Sequence, residues 1–522
     1  MKTLNREILR LALPSILANI TIPIVGIVDL AIAGHLSAGD AAVLIGGVSI
    51  GSMLFDLLYW NFGFLRVGTG GMTAQAWGRG DRREMAALLC RGVILALLVA
   101  ACMLLLQWPF VKLVFLMIDC SPEVRVLAER YFFIRIWAAP ASLSLMAFRG
   151  WFIGMQDSVS SMLTDLVVNG VNIAASLLLA YGCGVWEGIG FSGIPAGTVI
   201  AQYSGLLFAL SVVFLKYGRA SARRLPASGA AGPGSVSGTA TSMPVSGPGA
   251  ESVFSGFDRA SLRSSFSGRE LRKFMSLNGD LFIRSLSMVA VYIGFTILSA
   301  RFGDLMLASS TIMMKLLLLF SYFTDGFAYA GEALTGRYIG AGDRRMTRQT
   351  VRWTFIWSMG IGLCFVLVYL VGAEPVLRVM TSDADVLAAC RLFFVWLLPM
   401  PLIGCAAFTW DGIYVGATAS RPMRDSTLLA AAAFFGVWMA GIALLDALRP
   451  GLAAARPPEL IPACAASARD VAAIHILLIA YFAHLAARVL WLTFRYRTSV
   501  LARLGRDTDR SAVVSATETP QT

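Results

Sequence analysis

The sequence predicts an all-α polytopic membrane protein with twelve transmembrane helices in two pseudo-symmetric six-helix bundles. Three observations lead to this prediction: an apolar composition, twelve apolar stretches of helical length, and motifs that recur in both halves. Of the 522 residues, 57% are hydrophobic and only 14% are charged, and the mean hydropathy is +0.71. A soluble domain carries about a quarter of its residues as charges, so this composition favours a lipid environment.

The apolar stretches are each about 20 residues long, enough to cross a hydrocarbon layer of about 30 Å as a helix. The first stretch runs on without a small-residue cleavage site, so we expect a retained helix rather than a removed signal peptide. The twelve predicted spans are residues 8–33, 41–65, 88–110, 131–153, 160–182, 191–215, 277–300, 305–330, 353–372, 388–410, 426–447 and 471–494.

Two motifs in the first half return in the second half at the same offset of 262 residues. GRGDRR at 78–83 returns as GAGDRR at 340–345, and FRGWFIG at 148–154 returns as WDGIYVG at 410–416. Repeated halves that face each other across a bilayer form a central cleft that can open to either side. The repeat therefore predicts a carrier.

The chain divides at a segment that is poor in apolar residues and rich in Gly, Ser, Pro and Ala. Such a composition cannot bury enough apolar surface to order itself, and it is typical of flexible linkers. We expect an N-terminal six-helix lobe at 1–215, a flexible cytoplasmic linker at 216–273, a C-terminal six-helix lobe at 274–494 and a cytoplasmic tail at 495–522.

The distribution of Lys and Arg predicts the orientation. With twelve spans, both termini lie on the same side of the membrane, and far more Lys and Arg residues fall on that side than on the other. By the positive-inside rule, that side is the cytoplasm. The net charge of +12 is then explained by contact with the negative inner leaflet, and no nucleic acid is expected as a partner. We expect a monomer in the plasma (inner) membrane.

The sequence gives no indication of a metal, a cofactor or an enzyme. The eight cysteines show no CxxC spacing and have no partnered histidines. GRGD and GAGD do match the GxGD motif of intramembrane aspartyl proteases, but Asp81 and Asp343 fall in predicted cytoplasmic loops. There, Gly followed by Asp is typical of the end of one helix and the start of the next.

Charged side chains inside spans are the candidate functional residues, because an ionised group in hydrocarbon is costly unless it faces a cavity or a partner. Asp29 is the strongest candidate, since PIVGIVDLAIAGHL contains no Lys or Arg within two helical turns of it. We expect Asp29 to take up and release protons and to contact substrate. The alternative is a structural carboxylate hydrogen-bonded to a neighbouring helix.

Polar residues on other spans could line the same cavity as Asp29. Asn169 and Asn172 lie three residues apart and so share a face of the fifth helix. Thr198 and Gln202 lie four residues apart and share a face of the sixth. We expect these four side chains to contact substrate, with contacts between helices as the alternative. Asp56 could share the proton or pair with Arg66.

In the second half, five of the charged residues in or beside the spans are candidates for a structural or ion-coupling role. Arg284 paired with Asp325 or Asp411 would form a buried, mainly structural ion pair, whereas Glu332 would reach lipid headgroups. Asp411 is the second candidate for ion coupling. The five residues are Arg284, Lys315, Asp325, Glu332 and Asp411.

The ordered set of motifs resembles the multidrug and toxic compound extrusion (MATE) family. In the first half these are ALPSILANITIPIVGIVDLAIAGHL, FLRVGTGGMTAQAWGRGD, RGWFIGMQDS, NGVNIAASLLLAYG and GIPAGTVIAQY. The second half, with RSLSMVAVYIGFTILSARFGD, YFTDGFAYAGEALTGRYIGAGD and WDGIYVGA, is similar to the DinF-like branch. The resemblance covers both lobes and leaves out the linker and the tail.

This resemblance implies an antiporter that exports organic, often cationic or amphipathic, compounds in exchange for protons or sodium. Asp29 matches the first-helix aspartate that the family uses for ion coupling and substrate release. Asn172 matches the Asn of an NxxxD pattern, but Ser176 stands at its acidic position. Because a hard cation needs several oxygens and compensating charge, the sequence favours protons over sodium.

Two alternatives to a proton-coupled exporter are a sodium-coupled exporter of the same family and a lipid-linked oligosaccharide flippase of the same superfamily. The flippase would need more cationic side chains along the cleft to bind a pyrophosphate. Here the cationic side chains within or at the edges of spans are Arg66, Arg135, Arg284, Lys315 and Arg488.

Overall fold

The computed structural model describes residues 2–36, 41–116, 120–184, 186–218, 268–381, 383–448, 467–502 and 504. These residues are almost entirely helical. Eleven helices among them are long and apolar enough to cross a membrane, and a bent pair of shorter helices makes a twelfth span. The all-α polytopic prediction is therefore confirmed.

Six spans form the N-terminal lobe. The second and fourth spans each contain two helices: α2 and α3 are separated at residues 62–63, and α5 and α6 by a 3₁₀ turn at Ile136–Ala138. Pro140, in the first turn of α6, has no N–H to donate and fits there. The helices are α1 (Lys2–His35), α2 (Ala41–Asn61), α3 (Phe64–Arg79), α4 (Arg82–Phe115), α5 (Pro122–Arg135), α6 (Ala139–Gly154), α7 (Ser158–Tyr181) and α8 (Gly193–Val212).

The C-terminal lobe repeats this order. Its fourth span is the bent pair, in which α12 and α13 meet at an angle of 56° across the 3₁₀ turn Phe394–Leu397. The helices are α9 (Gly268–Ala300), α10 (Asp304–Gly340), α11 (Arg344–Met380), α12 (Ala384–Phe393), α13 (Met400–Gly416), α14 (Ser420–Leu448) and α15 (Ala468–Tyr496).

Several helices extend well beyond the predicted spans. α10 and α11 each contain 37 residues, because the backbone ladder continues into polar residues that hydropathy does not count as membrane. Most of the predicted linker, residues 219–267, lies outside the described residues. Residues 268–273, which the sequence predicts as linker, form the start of α9. The division into four ranges stays a prediction.

The GRGD and GAGD motifs form equivalent turns between helices. Gly80 and Gly342 both have φ of 72°, a left-handed conformation that glycine adopts without steric cost. The carboxylates of Asp81 and Asp343 then accept hydrogen bonds from backbone N–H groups in the first turns of α4 and α11, at 3.0 and 2.8 Å. This geometry supports helix capping and not a pair of facing catalytic aspartates.

A second repeated turn occurs at Gln156 and Thr418, again 262 residues apart. Both are non-glycine residues with positive φ, 62° and 52°. In both turns the N–H of the next residue bonds to the carbonyl five residues before it at 2.9 Å. The sequence repeat is therefore also a repeat of backbone conformation.

One hydrophobic core lies within the second lobe, a larger one extends from the first lobe into the second, and a third, smaller cluster joins α1 to α10. In that cluster Ile8 and Leu11 of α1 pack with Phe327 and Leu334 of α10, all nearly inaccessible to solvent. α1 thus belongs to the first lobe by sequence but is also packed against the second. This arrangement places α1 at the boundary where a cleft can form.

Candidate functional site: a cleft between two lobes

The lobes pack together at the end of the bundle that carries the GRGD and GAGD turns, which we call the turn end. There α3 crosses α10 with glycine at the closest points: a Cβ on Gly78 would overlap the backbone of Arg337, and one on Gly340 would overlap the backbone of Gln75. Residues 78 and 340, and residues 75 and 337, are equivalent in the repeat. The two lobes therefore meet about a pseudo-two-fold axis.

Polar contacts reinforce the turn end. Gln75 of α3 donates to the carbonyl of Gly416 at 2.9 Å, and Gln156 donates to the carbonyl of Ala333 at 2.8 Å. The guanidinium of Arg66 binds the carboxylate of Glu332 at 3.2 Å. These contacts cross from one lobe to the other, so each must break if the lobes separate at this end.

Aromatic residues from both lobes lie further from the turn end. Trp60 and Tyr292 meet edge to face with ring centroids 5.0 Å apart, and Phe64 and Phe282 do so at 5.9 Å. Asn19 of α1 donates to the carbonyl of Tyr322 at 3.2 Å. These contacts also join the two lobes.

Asp29 lies in α1, farther from the turn end than Asn19. Glu7, 22 residues earlier, contacts Tyr338 and Arg337 at the turn end, so the helical rise places Asp29 about 33 Å from it along α1. Asp29 is 6% exposed, and its Oδ1 atom has no hydrogen-bond partner among the described residues. The predicted unpaired acid is present.

A cationic group that acts electrostatically on Asp29 is Arg135, at the end of α5. Within the described ranges the two make no ion pair within 4.0 Å. The guanidinium of Arg135 instead donates to the hydroxyl of Tyr131 at 2.8 Å and lies 4.8 Å from the ring centroid of Phe55. The sequence indicates that Arg135 lies in a span but does not indicate its proximity to Asp29, because 106 residues separate them.

Three of the four predicted amide and hydroxyl residues take part in two contacts between helices. Asn172 donates to Thr198 Oγ1 at 2.9 Å, and its own Oδ1 is buried without a partner in the described part of the chain. Asn169 donates to the hydroxyl of Thr21 on α1 at 2.6 Å. Gln202 is half-buried and makes no hydrogen bond to any described residue. Contacts between helices thus account for Asn169, Asn172 and Thr198. The predicted contact of all four residues with substrate stays a prediction.

Asp56 does not pair with Arg66, because Arg66 points across to Glu332. Asp56 is exposed and interacts electrostatically with Arg135 of its own lobe and Lys315 of the other. It therefore lies on the cleft wall, and its part in proton coupling stays a prediction. Glu332 does not reach headgroups: its side chain is 1% exposed, since it inserts between the lobes beside Gly70.

In the second lobe, Asp411 binds two guanidinium groups. Arg284 lies 2.5 Å from Asp411 Oδ2, and Arg488 binds the same oxygen. The predicted pairing of Arg284 with Asp411 is present, and Arg488 is a second partner that sequence analysis missed. A carboxylate held by two cations favours the structural alternative over ion coupling at Asp411.

Two packed helical lobes with buried charges along their interface define a polytopic membrane protein with a central cleft. The MatE family model matches residues 14–178 and 281–438. DNA damage-inducible protein F of Escherichia coli is 31% identical over 430 residues, covering 82% of this chain and 84% of that protein. The probable multidrug resistance protein NorM of Photorhabdus laumondii is 22% identical over 447 residues, covering 84% and 86%.

Solved structures share the fold. An outward-facing multidrug resistance MATE family transporter of the MOP superfamily has a TM-score of 0.72 at 16% identity and covers 95% of this chain and 96% of its own. A MOP superfamily transporter from Pyrococcus furiosus, described as having a binding pocket of reverse polarity, has a TM-score of 0.70 at 17% identity, covering 94% and 96%. The chain belongs to the MATE family of membrane transporters.

Proposed function

We propose that this protein exports organic cationic or amphipathic compounds in exchange for protons, with Asp29 as the proton-coupled carboxylate. The observation that carries this proposal is the state of Asp29, which is nearly inaccessible and has an unpartnered oxygen. A buried carboxylate without an ion-pair partner is costly when ionised, and either a cation or a proton can relieve that cost. The two therefore compete for one group.

The surroundings of Asp29 support protons over sodium. Sodium, as a hard cation, needs several oxygen ligands and compensating charge. At the position where the family pattern has a second acid, the hydroxyl of Ser176 donates to the carbonyl of Ile194 at 3.3 Å. Asn172 offers one unpartnered oxygen, Oδ1, which carries no compensating charge. A proton needs only the one titrating oxygen.

The proposed cycle alternates the opening of the cleft. When the turn end opens, ionised Asp29 helps to hold a cationic substrate; when the opposite end opens, a proton neutralises Asp29 and weakens that hold. Each pH unit supplies about 1.4 kcal/mol per proton, and each 100 mV supplies about 2.3 kcal/mol per charge moved. One or two protons can thus sustain a substrate gradient of about tenfold or more.

The packing of the lobes at the turn end supports the assignment of the described conformation to the releasing stage of this cycle. We place the turn end and both termini in the cytoplasm, in agreement with the excess of Lys and Arg on that side. The protein would then act as a monomer in the inner membrane.

A lipid-linked oligosaccharide flippase fits the cleft less well. Three of the five cationic side chains in the spans are held by carboxylates, Arg66 by Glu332 and both Arg284 and Arg488 by Asp411. Few cationic groups remain to bind a pyrophosphate.

The test is transport by the purified full-length chain in proteoliposomes. Export of tetramethylrhodamine methyl ester, a cationic dye, is measured under an imposed pH gradient and, separately, under a sodium gradient. We expect the pH gradient alone to drive export by the wild type. Asp29→Asn should abolish export against a gradient, because the amide cannot bind and release a proton.

The matched control is Asp304→Asn, which removes an exposed carboxylate at the start of α10 and should leave export unchanged. Export driven only by sodium would overturn the ion assignment. An Asp29→Asn variant that still concentrated dye would overturn the assignment of the coupling residue.

A further inference from the structure

Lys315 is a cationic residue in the middle of a membrane span that faces the cleft. It lies 11 residues after Asp304, the first residue of α10, which corresponds to about 16 Å along the helix. Thr311, Lys315 and Leu319 follow one another at four-residue spacing, and all three are exposed. Lys315 therefore lies on an uncovered face of α10 deep in the predicted hydrocarbon region.

The direction of this face is set by its neighbours in the other lobe. Tyr322 shares it with Lys315, seven residues on, and the Tyr322 carbonyl accepts a hydrogen bond from Asn19 of α1 at 3.2 Å. Lys315 also interacts electrostatically with Asp56 of α2. Because α1 and α2 belong to the first lobe, Lys315 points into the cleft and not toward lipid.

Lys315 differs from Arg66, Arg284 and Arg488 in having no close counter-ion. Within the described ranges it makes no ion pair within 4.0 Å. Arg66, Arg284 and Arg488 each bind a carboxylate. An ammonium group at this depth is costly unless a cavity or an anionic partner receives it, and Asp56 supplies only a more distant charge.

The two lobes thus carry opposite charges that make no ion pair within 4.0 Å among the described residues. Asp29 lies on the first lobe and Lys315 on the second, with Asp56 and Arg135 between them as a partly compensating pair. A ligand that spans the cleft and carries a cationic and an acidic group would satisfy both walls. A purely cationic ligand would leave Lys315 without a counter-ion.

We propose that Lys315 binds the acidic group of the substrate, so that the preferred substrates are zwitterionic amphiphiles. The inference rests on the proposed export function and extends it to the substrate class. A carboxylate oxygen would accept a charge-assisted hydrogen bond from Lys315 Nζ while the cationic end of the molecule lies toward Asp29. Protonation of Asp29 then releases one of two anchors and leaves the acidic end held by a single contact.

A matched pair of dyes tests the inference. Tetramethylrhodamine and its methyl ester share the same cationic ring system, but only the free acid carries a carboxylate. Binding of each to the purified full-length chain is measured by fluorescence anisotropy. We expect the wild type to bind the acid more tightly than the ester.

Lys315→Gln should weaken binding of the acid about tenfold, as expected for loss of one charge-assisted contact, and should leave ester binding within about twofold. Lys315→Arg should retain most of the preference for the acid because it keeps the charge. Lys112→Gln, which removes an exposed lysine from α4, is the matched control and should change neither affinity. A general structural defect would instead weaken both dyes equally, and that result would overturn the inference.

Transport separates this inference from the function on which it rests. If the wild type exports the ester under a pH gradient but shows no preference for the acid, only the assignment of Lys315 fails. If it exports neither dye under any ion gradient, the export function itself fails.

Discussion

Arg66 of α3 and Glu332 of α10 form an ion pair of 3.2 Å between the two lobes, and the repeat contains it only once. The positions equivalent to Arg66 and Glu332 at the offset of 262 are Ala328 and Gly70. Gly70 leaves the space that the Glu332 carboxylate occupies. Arg66 also lies 4.3 Å from the ring centroid of Tyr329. The pair is therefore an asymmetric contact at a pseudo-symmetric interface.

Glu332→Gln should shift the protein toward conformations that are separated at the turn end. Removing the carboxylate leaves the guanidinium of Arg66 without its anionic partner, at a cost of about 1–3 kcal/mol to the packed state. Spin labels on Arg83→Cys and Arg345→Cys, exposed and equivalent positions in the two lobes, report the separation by double electron–electron resonance. We expect more of the long-distance population.

The control for this variant is Glu84→Gln, which breaks an Arg–Glu contact of 2.8 Å to Arg91 within one lobe. It should leave the label distances unchanged. An identical distance distribution for Glu332→Gln and the wild type would show that the pair does not hold the lobes together.

Gly78→Ala and Gly340→Ala should each weaken the same interface. A methyl group at either position would overlap backbone of the other lobe, which has no flexible side chain to move aside. The same spin labels should report separation at the turn end, and dye export should fall. Gly360→Ala is the control, since a Cβ there meets open space, and its better helix propensity should give equal or slightly higher stability. Unchanged label distances in both interface variants would contradict the close packing of α3 on α10.

Asp411→Asn should destabilise the protein far more than Asp29→Asn. Asp411 neutralises Arg284 and Arg488, whose side chains are 13% and 1% exposed, and leaving buried cations unpaired costs about 3–5 kcal/mol. Asp29→Asn leaves no ion pair broken. Thermal unfolding of both variants in detergent should therefore show a large drop in the midpoint only for Asp411→Asn. Equal midpoints would favour a functional role for Asp411 over the structural one.

Asp157, in the turn between α6 and α7, should make stability depend on acid pH. Burial alone would raise the pKa of Asp157, but hydrogen bonds from Lys216, Ser160 and Tyr217 hold the pKa below its usual value. A group with a lowered folded pKa contributes stability above its unfolded pKa of about 3.9, and the contribution disappears as pH falls through the folded value.

Asp157→Asn keeps a side chain that caps α7 but removes the charge, so we expect a loss of about 0.5–1 kcal/mol near neutral pH. Because the wild type loses the same contribution in acid, the difference between the two midpoints should shrink below about pH 4. A difference that stayed constant down to about pH 3 would show that the charge of Asp157 does not stabilise the fold.

Features that depend on local sequence could be predicted from it. The apolar stretches predict the spans because helix length must match the hydrocarbon layer. The pair of Gly80 and Asp81 predicts a helix end followed by a helix start, since the left-handed turn and the cap both depend on adjacent residues. Asp29 is recognisable as an unneutralised charge from its neighbours in α1 alone.

Features that depend on packing between helices could not be predicted. Arg66 and Asp56 lie ten residues apart and are plausible partners by sequence, yet Arg66 binds Glu332, 266 residues away. Glu332 lies near the end of an apolar stretch, where a headgroup contact is the simpler expectation. Its burial follows only from the crossing of α3 and α10.

The sequence by itself determined that this chain is a two-fold repeat of membrane helices with an unneutralised acid in the first one, because hydropathy and repetition are written in residue order. Only the tertiary structure decided which charges are paired and which face the cleft. Ion pairs and close helix crossings form between residues hundreds of positions apart. Their partners are selected by how the two lobes pack, and residue order does not encode that packing in any local pattern.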